Sequence, residues 1–419
     1  MNCLSEFQLN AGNEVVSAFC KDDKPWHLLF AQPQSGKTDT FFFVAAEMLR
    51  LNKVSNVVII SGTDDKHLRL QSKHSFCNPK GHIDFCEKYD FYLESHLGLD
   101  RANRFQIKSI LKSNLHFIWG NDLSKPHPFT ANTLFVWDES HYAQTIDMRP
   151  YKFFKKLDIK CDGSIVGNSN FVLSVSATPF SELSHILKTN TEPLKGKTFL
   201  RVDCNYHGIH SVIEKNLLHS FNSKKLFLEL PPILEKFNDP TYGIIRSNDD
   251  SKTAIIYSVA KQLGWNVLRC NSDPKRRDIS NLDIMLNSPR SKTLIIIKGM
   301  CRMGQVLNKK YLSFVMETSF DSNSETLIQG LLGRTLGWHN FPILVYINDV
   351  IFKRNDTSRY LDLINGNSVL PIKAKNLNKK GSNNFDAFCG NSVLPSKRVS
   401  KKNKEKLLSE WLIDFVHFV

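Results

Sequence analysis

A chain of 419 residues is too long for one ordinary core and sets the expectation of two α/β domains of roughly 150 residues each, with extra segments. With 41% hydrophobic and 23% charged residues the composition is that of a globular protein, which excludes wholesale disorder. The 55 Lys+Arg against 41 Asp+Glu give a formal net charge of +14, which favours polyanionic partners such as nucleic acid or an anionic membrane surface, although the same surplus also serves solubility.

The 9 cysteines are scattered and odd in number, with no C-x-x-C pair, as expected in a reducing compartment. The N-terminus carries no basic region followed by an apolar run, and no stretch approaches the ~20 apolar residues of a membrane span. The expectation is therefore a soluble intracellular protein without a membrane partner, in cytoplasm, nucleus or a viral factory. Richness in Lys, Asn and Phe points to an AT-rich genome, viral or of a mobile element.

Along the first half, short apolar runs alternate with helical patterns: HLLFA (27–31), VVIIS (57–61), LHFIW (115–119), TLFVWD (133–138) and FVLSVS (171–176). This alternation predicts an α/β fold with a parallel sheet buried on both faces. The pattern restarts with YGIIR (242–246), WNVLR (265–269), TLIIIKG (293–299), YLSFVME (311–317) and ILVYIND (343–349), with a helix expected over 253–264. We divide the chain at 1–225, 226–352 and 353–419. The last part is rich in Lys, Arg, Asn, Ser and Gly, repeats GNSVLP at 366–371 and 390–395, and ends in an amphipathic pattern over 405–419.

The first strand runs directly into Ala31-Gln32-Pro33-Gln34-Ser35-Gly36-Lys37-Thr38, followed by an apolar helical run. A tight loop before a helix N-terminus offers backbone N–H groups to phosphate oxygens. Lys37 would supply a cation for the β/γ-phosphates, and the Thr38 hydroxyl would hold Mg²⁺. The pattern is G-x-x-x-x-G-K-[ST] with Ala31 in place of the first glycine.

Another strand ends in Asp138-Glu139-Ser140-His141, carboxylates at the edge where open parallel sheets bind ligands. Asp138 would hold Mg²⁺ with Thr38, and Glu139 would orient and deprotonate water. The following strand ends in Ser176-Ala177-Thr178-Pro179. In the second half TLIIIKG leads to Met300-Cys301-Arg302-Met303-Gly304, and a helical segment carries Gln329-Gly330-Leu331-Leu332-Gly333-Arg334. An arginine reaching across a domain cleft can stabilise charge on a transferring phosphoryl group.

Taken in this order, the motifs resemble those of superfamily-2 helicases of the DExH type, over about residues 27–350. AQPQSGKT resembles motif I, SGTDDKHLRLQ (61–71) motif Ia, DESH motif II, SATP motif III, KGMCRMG motif V and QGLLGR motif VI. The resemblance implies two RecA-like P-loop NTPase domains and ATP with Mg²⁺ as cofactors. It implies nucleotide contacts from Gln34, Ser35, Gly36, Lys37 and Thr38. Catalytic roles fall to Asp138, Glu139, His141, Gln329 and Arg334, and strand contacts to Ser61, Gly62, Thr63 and Arg302. The implied partner is nucleic acid, DNA ahead of RNA, and the implied activity is ATP-driven unwinding or translocation.

The sequence departs from the family at two places. One extra residue separates Gln329 from Gly333, and Gly337-Trp338 stand where a second arginine is expected, so Arg334 is the single candidate finger. Met303 stands between Arg302 and Gly304. No glutamine motif precedes the phosphate loop in this reading, and Pro25-Trp26 is the candidate for stacking on the base. The spacing His74-x2-Cys77-x4-His82-x3-Cys86 resembles a zinc knuckle, but composition alone also produces it. Two other readings remain: a packaging ATPase of the terminase type, and a catalytically idle helicase-fold factor that binds nucleic acid.

Overall fold

The computed structural model describes residues 3–365 except 22–23, 64–65, 78–83, 142–147, 162, 181, 184–194, 272, 280–281, 283–285, 300–306, 321 and 323, with backbone only at 66–68 and 274. Arg302, both GNSVLP copies, His82 and the amphipathic pattern over 405–419 lie outside the described residues.

Two six-stranded sheets form, each wholly parallel. The first contains β1 (Trp26–Ala31), β2 (Asn56–Ser61), β3 (Leu115–Trp119), β4 (Thr133–Asp138), β5 (Phe171–Ser176) and β6 (Lys195–Leu200), in the order β3-β2-β4-β5-β1-β6. The second contains β7 (Leu218–Phe221), β8 (Tyr242–Arg246), β9 (Asn266–Asn271), β10 (Thr293–Lys298), β11 (Leu312–Glu317) and β12 (Leu344–Asn348), in the order β7-β12-β11-β8-β10-β9. The expected pair of parallel α/β domains is what the chain builds.

All ten apolar runs read from the sequence are strands. Two more strands carry weak signals: β6 begins Lys-Gly-Lys at the edge of its sheet, and β7 has four residues and also lies at an edge. Because β7 pairs with β12, residues 218–221 belong to the second sheet although they precede the expected boundary at 225/226. A helix at Asp356–Ile364 likewise falls inside the stretch assigned to the basic tail; its Tyr360 is fully buried and donates to the Ala177 carbonyl at 2.8 Å.

Two helices fix the site. Helix α2 (Lys37–Arg50) runs from the phosphate-loop region through the first core, with every residue from Thr40 to Leu49 buried. An unbroken run such as Phe41-Phe42-Phe43-Val44-Ala45-Ala46 suits a helix covered on all sides. Helix α1 (Glu6–Lys21) packs against α2 so closely that a Cβ on Gly12 would lie 2.4 Å from the Phe43 ring. The two domains also share apolar packing, one cluster joining Phe30 and Phe180 to Ile244, Ile295 and Val345. No helix among the described residues is long and apolar enough to cross a membrane.

Candidate composite nucleotide site

The loop between β1 and α2 is shaped by local bonds. Ser35 donates from both N and Oγ to the Gln32 carbonyl, at 3.3 and 2.7 Å, and Gly36 caps α2 in the left-handed region with φ 98°. Gln34 also has φ 60°, a conformation that non-glycine residues rarely adopt. The loop therefore presents backbone N–H groups at the positive end of a long buried helix, a ready anion site.

Lys37 in the first turn of α2 donates to Glu139 Oε1 at 2.5 Å. Burial pulls the ammonium pKa down, but the charges of Glu139 and Asp138 and the hydrogen bond carry it above its ordinary value. Glu139 stands just past β4, buried and left-handed with φ 54°. Such strain persists only where the surroundings impose it, and it clusters at functional sites. Burial opposes its charge, but Lys37 and then His141 outweigh burial and hold the carboxyl below its usual range. Its Oε2 is buried, has no hydrogen-bond partner among the described residues and lies 3.4 Å from His141 Nδ1.

Asp138, at the last position of β4, accepts from the Glu139 amide at 3.0 Å. Burial first, and then the adjacent Glu139 charge, push it up to about 7, against the pull of Lys37. Two carboxyl groups buried side by side, Glu139 paired with Lys37, offer hard oxygen donors of the kind a divalent cation takes. The hard oxygen donors Thr38 and Asp138, with the orphaned Glu139 Oε2, suit Mg²⁺, and only β5 separates β1 from β4 in the sheet. The residues present fit the expected group.

The second domain completes the cluster. Gln329 Nε2 donates to Thr178 Oγ1 at 2.7 Å and lies 3.1 Å from His141 Nδ1, while His141 Nδ1 is also 3.1 Å from Ser176 Oγ. The sequence elements DESH, SATP and QGLLGR thus meet in one buried hydrogen-bonded group. Arg334, 4% exposed, lies near enough for its charge to act on Lys37 and on Glu139. The extra residue before Gly333 does not remove the arginine from the cleft.

Other expected residues are placed differently. Ser61 and Thr63 are buried at and just past the carboxyl end of β2, with Gly62 partly exposed between them. Trp26 does not face a base: it is fully buried, donates to Glu182 Oε1 at 2.9 Å and lies under the Lys195 ammonium. It starts β1, at the end of the strand opposite the phosphate loop, so core packing claims it. Cys77 and Cys86 are neighbours, but no group of metal-ligating residues forms among the described residues.

One contact was absent from the sequence reading. Gln8 of α1 donates from Nε2 to the Gly36 carbonyl at 3.0 Å, and its Oε1 accepts from Ser5 N and Oγ. A Cβ on Gly36 would meet this amide at 2.6 Å, so the glycine is required both by φ and by space. A polar residue on an otherwise core-facing helix stretch was the available signal.

Two parallel-sheet domains with this cluster between them define a fold class, that of two RecA-like domains. The comparisons agree on that fold. A solved structure described as the DEAD-box helicase Mss116 bound to ssRNA and UDP-BeF aligns over 82% of this chain and 69% of its own, with TM-score 0.52 and 14% identity. The ATP-dependent Type ISP restriction-modification enzyme LlaBIII bound to DNA aligns over 82% of this chain and 27% of its own, with TM-score 0.50 and 11% identity. In sequence, the chain is 27% identical over 283 residues to the uncharacterized protein L594 of Acanthamoeba polyphaga mimivirus, covering 60% of this chain and 68% of the relative. No family model matches.

Proposed function

We propose that the chain is a DExH-type nucleic-acid-dependent ATPase that couples hydrolysis to movement on, or unwinding of, a strand. The observation that carries this reading is the meeting of Gln329 and Arg334 with Lys37, Glu139, His141 and Thr178, residues from both domains in one buried site. A single-domain nucleotide-binding protein needs no partner domain there. The mimivirus relative accords with a viral or mobile-element source.

ATP with Mg²⁺, when bound, supplies the reacting phosphoryl group and a divalent charge that withdraws electron density from it. Lys37 leaves Glu139 for the β/γ-phosphate oxygens, which frees both oxygens of the carboxylate. Glu139 then orients a water and takes its proton. Thr38 and Asp138 would hold the cation. Arg334 faces charge that develops as the bond to the leaving oxygen breaks, a term stronger in the transition state than in the ground state. Gln329 ties that chemistry to His141 and to Thr178 of the SATP turn, so a change at the nucleotide moves one domain against the other.

The strand lies in this reading across Ser61, Gly62 and Thr63 and across Arg302, with the Lys/Arg surplus supplying phosphate contacts and DNA ahead of RNA as the track. The division into two domains and a basic tail is part of the same proposal, with β7 counted in the second domain and the basic contacts coming from beyond the helix at Asp356–Ile364. The test is ATP hydrolysis by the full chain alone and with single-stranded DNA, duplex DNA or RNA. Stimulation by at least one polynucleotide is expected. Hydrolysis indifferent to all three, or absent, rejects the reading.

A further inference from the structure

Phosphate binding by a loop of this kind uses backbone amides and Lys37, and it leaves the Gln34 side chain without a task. That side chain is nevertheless committed. Gln34 stands in the left-handed region with φ 60°, its Nε2 donates to the Gly333 carbonyl at 3.2 Å, and its Oε1 accepts from Lys309 Nζ at 2.7 Å. The contact spans about three hundred residues of sequence and joins the tip of the phosphate loop to the second domain.

Gly333 immediately precedes Arg334. A Cβ on Gly333 would stand 3.2 Å from Pro33 Cβ, so the loop tip lies directly on the segment that carries the arginine. Across from it, Gly337 with φ 129° approaches both partners, its ideal Cβ 3.5 Å from Gln34 Oε1 and 3.6 Å from Lys309 Nζ. Tyr206 donates to the Pro33 carbonyl at 2.5 Å and closes the other side. Lys309 makes no ion pair among the described residues, and burial and then the charge of Arg334 bring its pKa down to about 8. A cation kept beside another cation, and bonded to a neutral amide, is placed for geometry more than for charge balance.

We propose that Gln34 and Lys309 are a positioning pair that registers Arg334 against the phosphate loop, holding the 330–337 segment to the loop tip. This rests on the composite-site reading above. Lys309 lies outside the phosphate loop, so its removal separates affinity from turnover.

Two variants test it. Gln34→Gly removes the side chain and suits φ 60°, so the loop keeps its backbone; Lys309→Met keeps the stem and removes the ammonium. Hydrogen exchange of the 330–337 amides is measured without added nucleotide, alongside ATP affinity and single-turnover hydrolysis for both singles and the double variant. The expected result is exchange in 330–337 faster by about tenfold in each single variant. Turnover should fall on the order of ten- to hundredfold, as misregistered catalytic groups do, with ATP affinity in Lys309→Met within about twofold of the parent. The double variant should be no worse than Gln34→Gly alone, because that variant already removes both contacts of the latch. Parent-like exchange in both singles, or additive losses in the double, would overturn the latch. Failure of the parent to hydrolyse ATP would instead reject the composite-site reading, and the exchange comparison would still decide the contact.

Discussion

Replacing Arg334 by alanine removes from the cleft a guanidinium that the second domain alone supplies. Arg334 is 4% exposed, and its charge is felt by Lys37 and Glu139, residues that sit on either side of the reacting group in the mechanism. Loss of an arginine finger costs on the order of 10³-fold in turnover, or about 4 kcal/mol of transition-state stabilisation. The phosphate loop, α2 and Lys37 remain intact, so nucleotide affinity should change by less than about threefold. The Arg334 amide keeps its bond to the Gly330 carbonyl at 3.2 Å, and a thermal unfolding curve checks that the second domain remains folded. Arg334→Lys should recover little, since an ammonium lacks the planar fork. The assay is single-turnover hydrolysis with polynucleotide present, paired with a nucleotide titration. Parent-like turnover in the alanine variant refutes the composite site, and an equal loss of affinity and turnover refutes a finger.

Lys37→Ala should abolish nucleotide binding in an equilibrium titration, because the loop loses its side-chain cation for the β/γ-phosphates. Glu139→Gln should bind ATP as the parent does and stop turning over, since the amide keeps the shape but accepts no proton; turnover at the parent rate would remove Glu139 as the base. Gln329→Ala deletes the bond to Thr178 and the contact with His141, which should weaken domain coupling by about 1–3 kcal/mol and suppress polynucleotide stimulation more than basal hydrolysis, read from paired ATPase rates. His27, buried against Thr198 at 2.8 Å, is lowered to about 4 by burial and then by Lys24, and His207 is lowered to about 4 by burial and then by His339. Unfolded histidine takes up a proton near pH 6.5 that the folded sites refuse until about pH 4, so stability should fall as pH drops through that window, by up to about 3 kcal/mol for His27. Denaturant midpoints that stay flat between pH 6.5 and pH 4 would contradict this.

The sheets were legible because fully buried parallel strands read as apolar runs, and every such run of the two series is a strand. The strands β6 and β7 escaped because edge positions tolerate Lys197 and His219, and because Lys195 is buried as the partner of Glu182 and not as an apolar residue. The helix at Asp356–Ile364 escaped because its neighbours are basic and polar, although Tyr360 anchors it on Ala177 and Leu361, Leu363 and Ile364 pack against the core. Local motifs singled out Lys37, Asp138 and Glu139, which the start of α2 and the end of β4 bring together. Contacts made across the fold were not readable: Gln8 reaches Gly36, and Lys309 reaches Gln34, with no fixed spacing to announce either. Trp26 shows the converse, a residue near the loop in sequence that β1 carries to its far end.

The central claim is that nucleotide state sets the grip on a strand. Equilibrium binding of labelled single-stranded DNA and of RNA to the full chain, with a non-hydrolysable ATP analogue and then with ADP, tests it most directly. The affinities should differ by about tenfold or more between the two nucleotide states for at least one polymer, with the difference abolished in Lys37→Ala and both affinities falling as salt rises. Equal affinity in the two states for every polymer would contradict it.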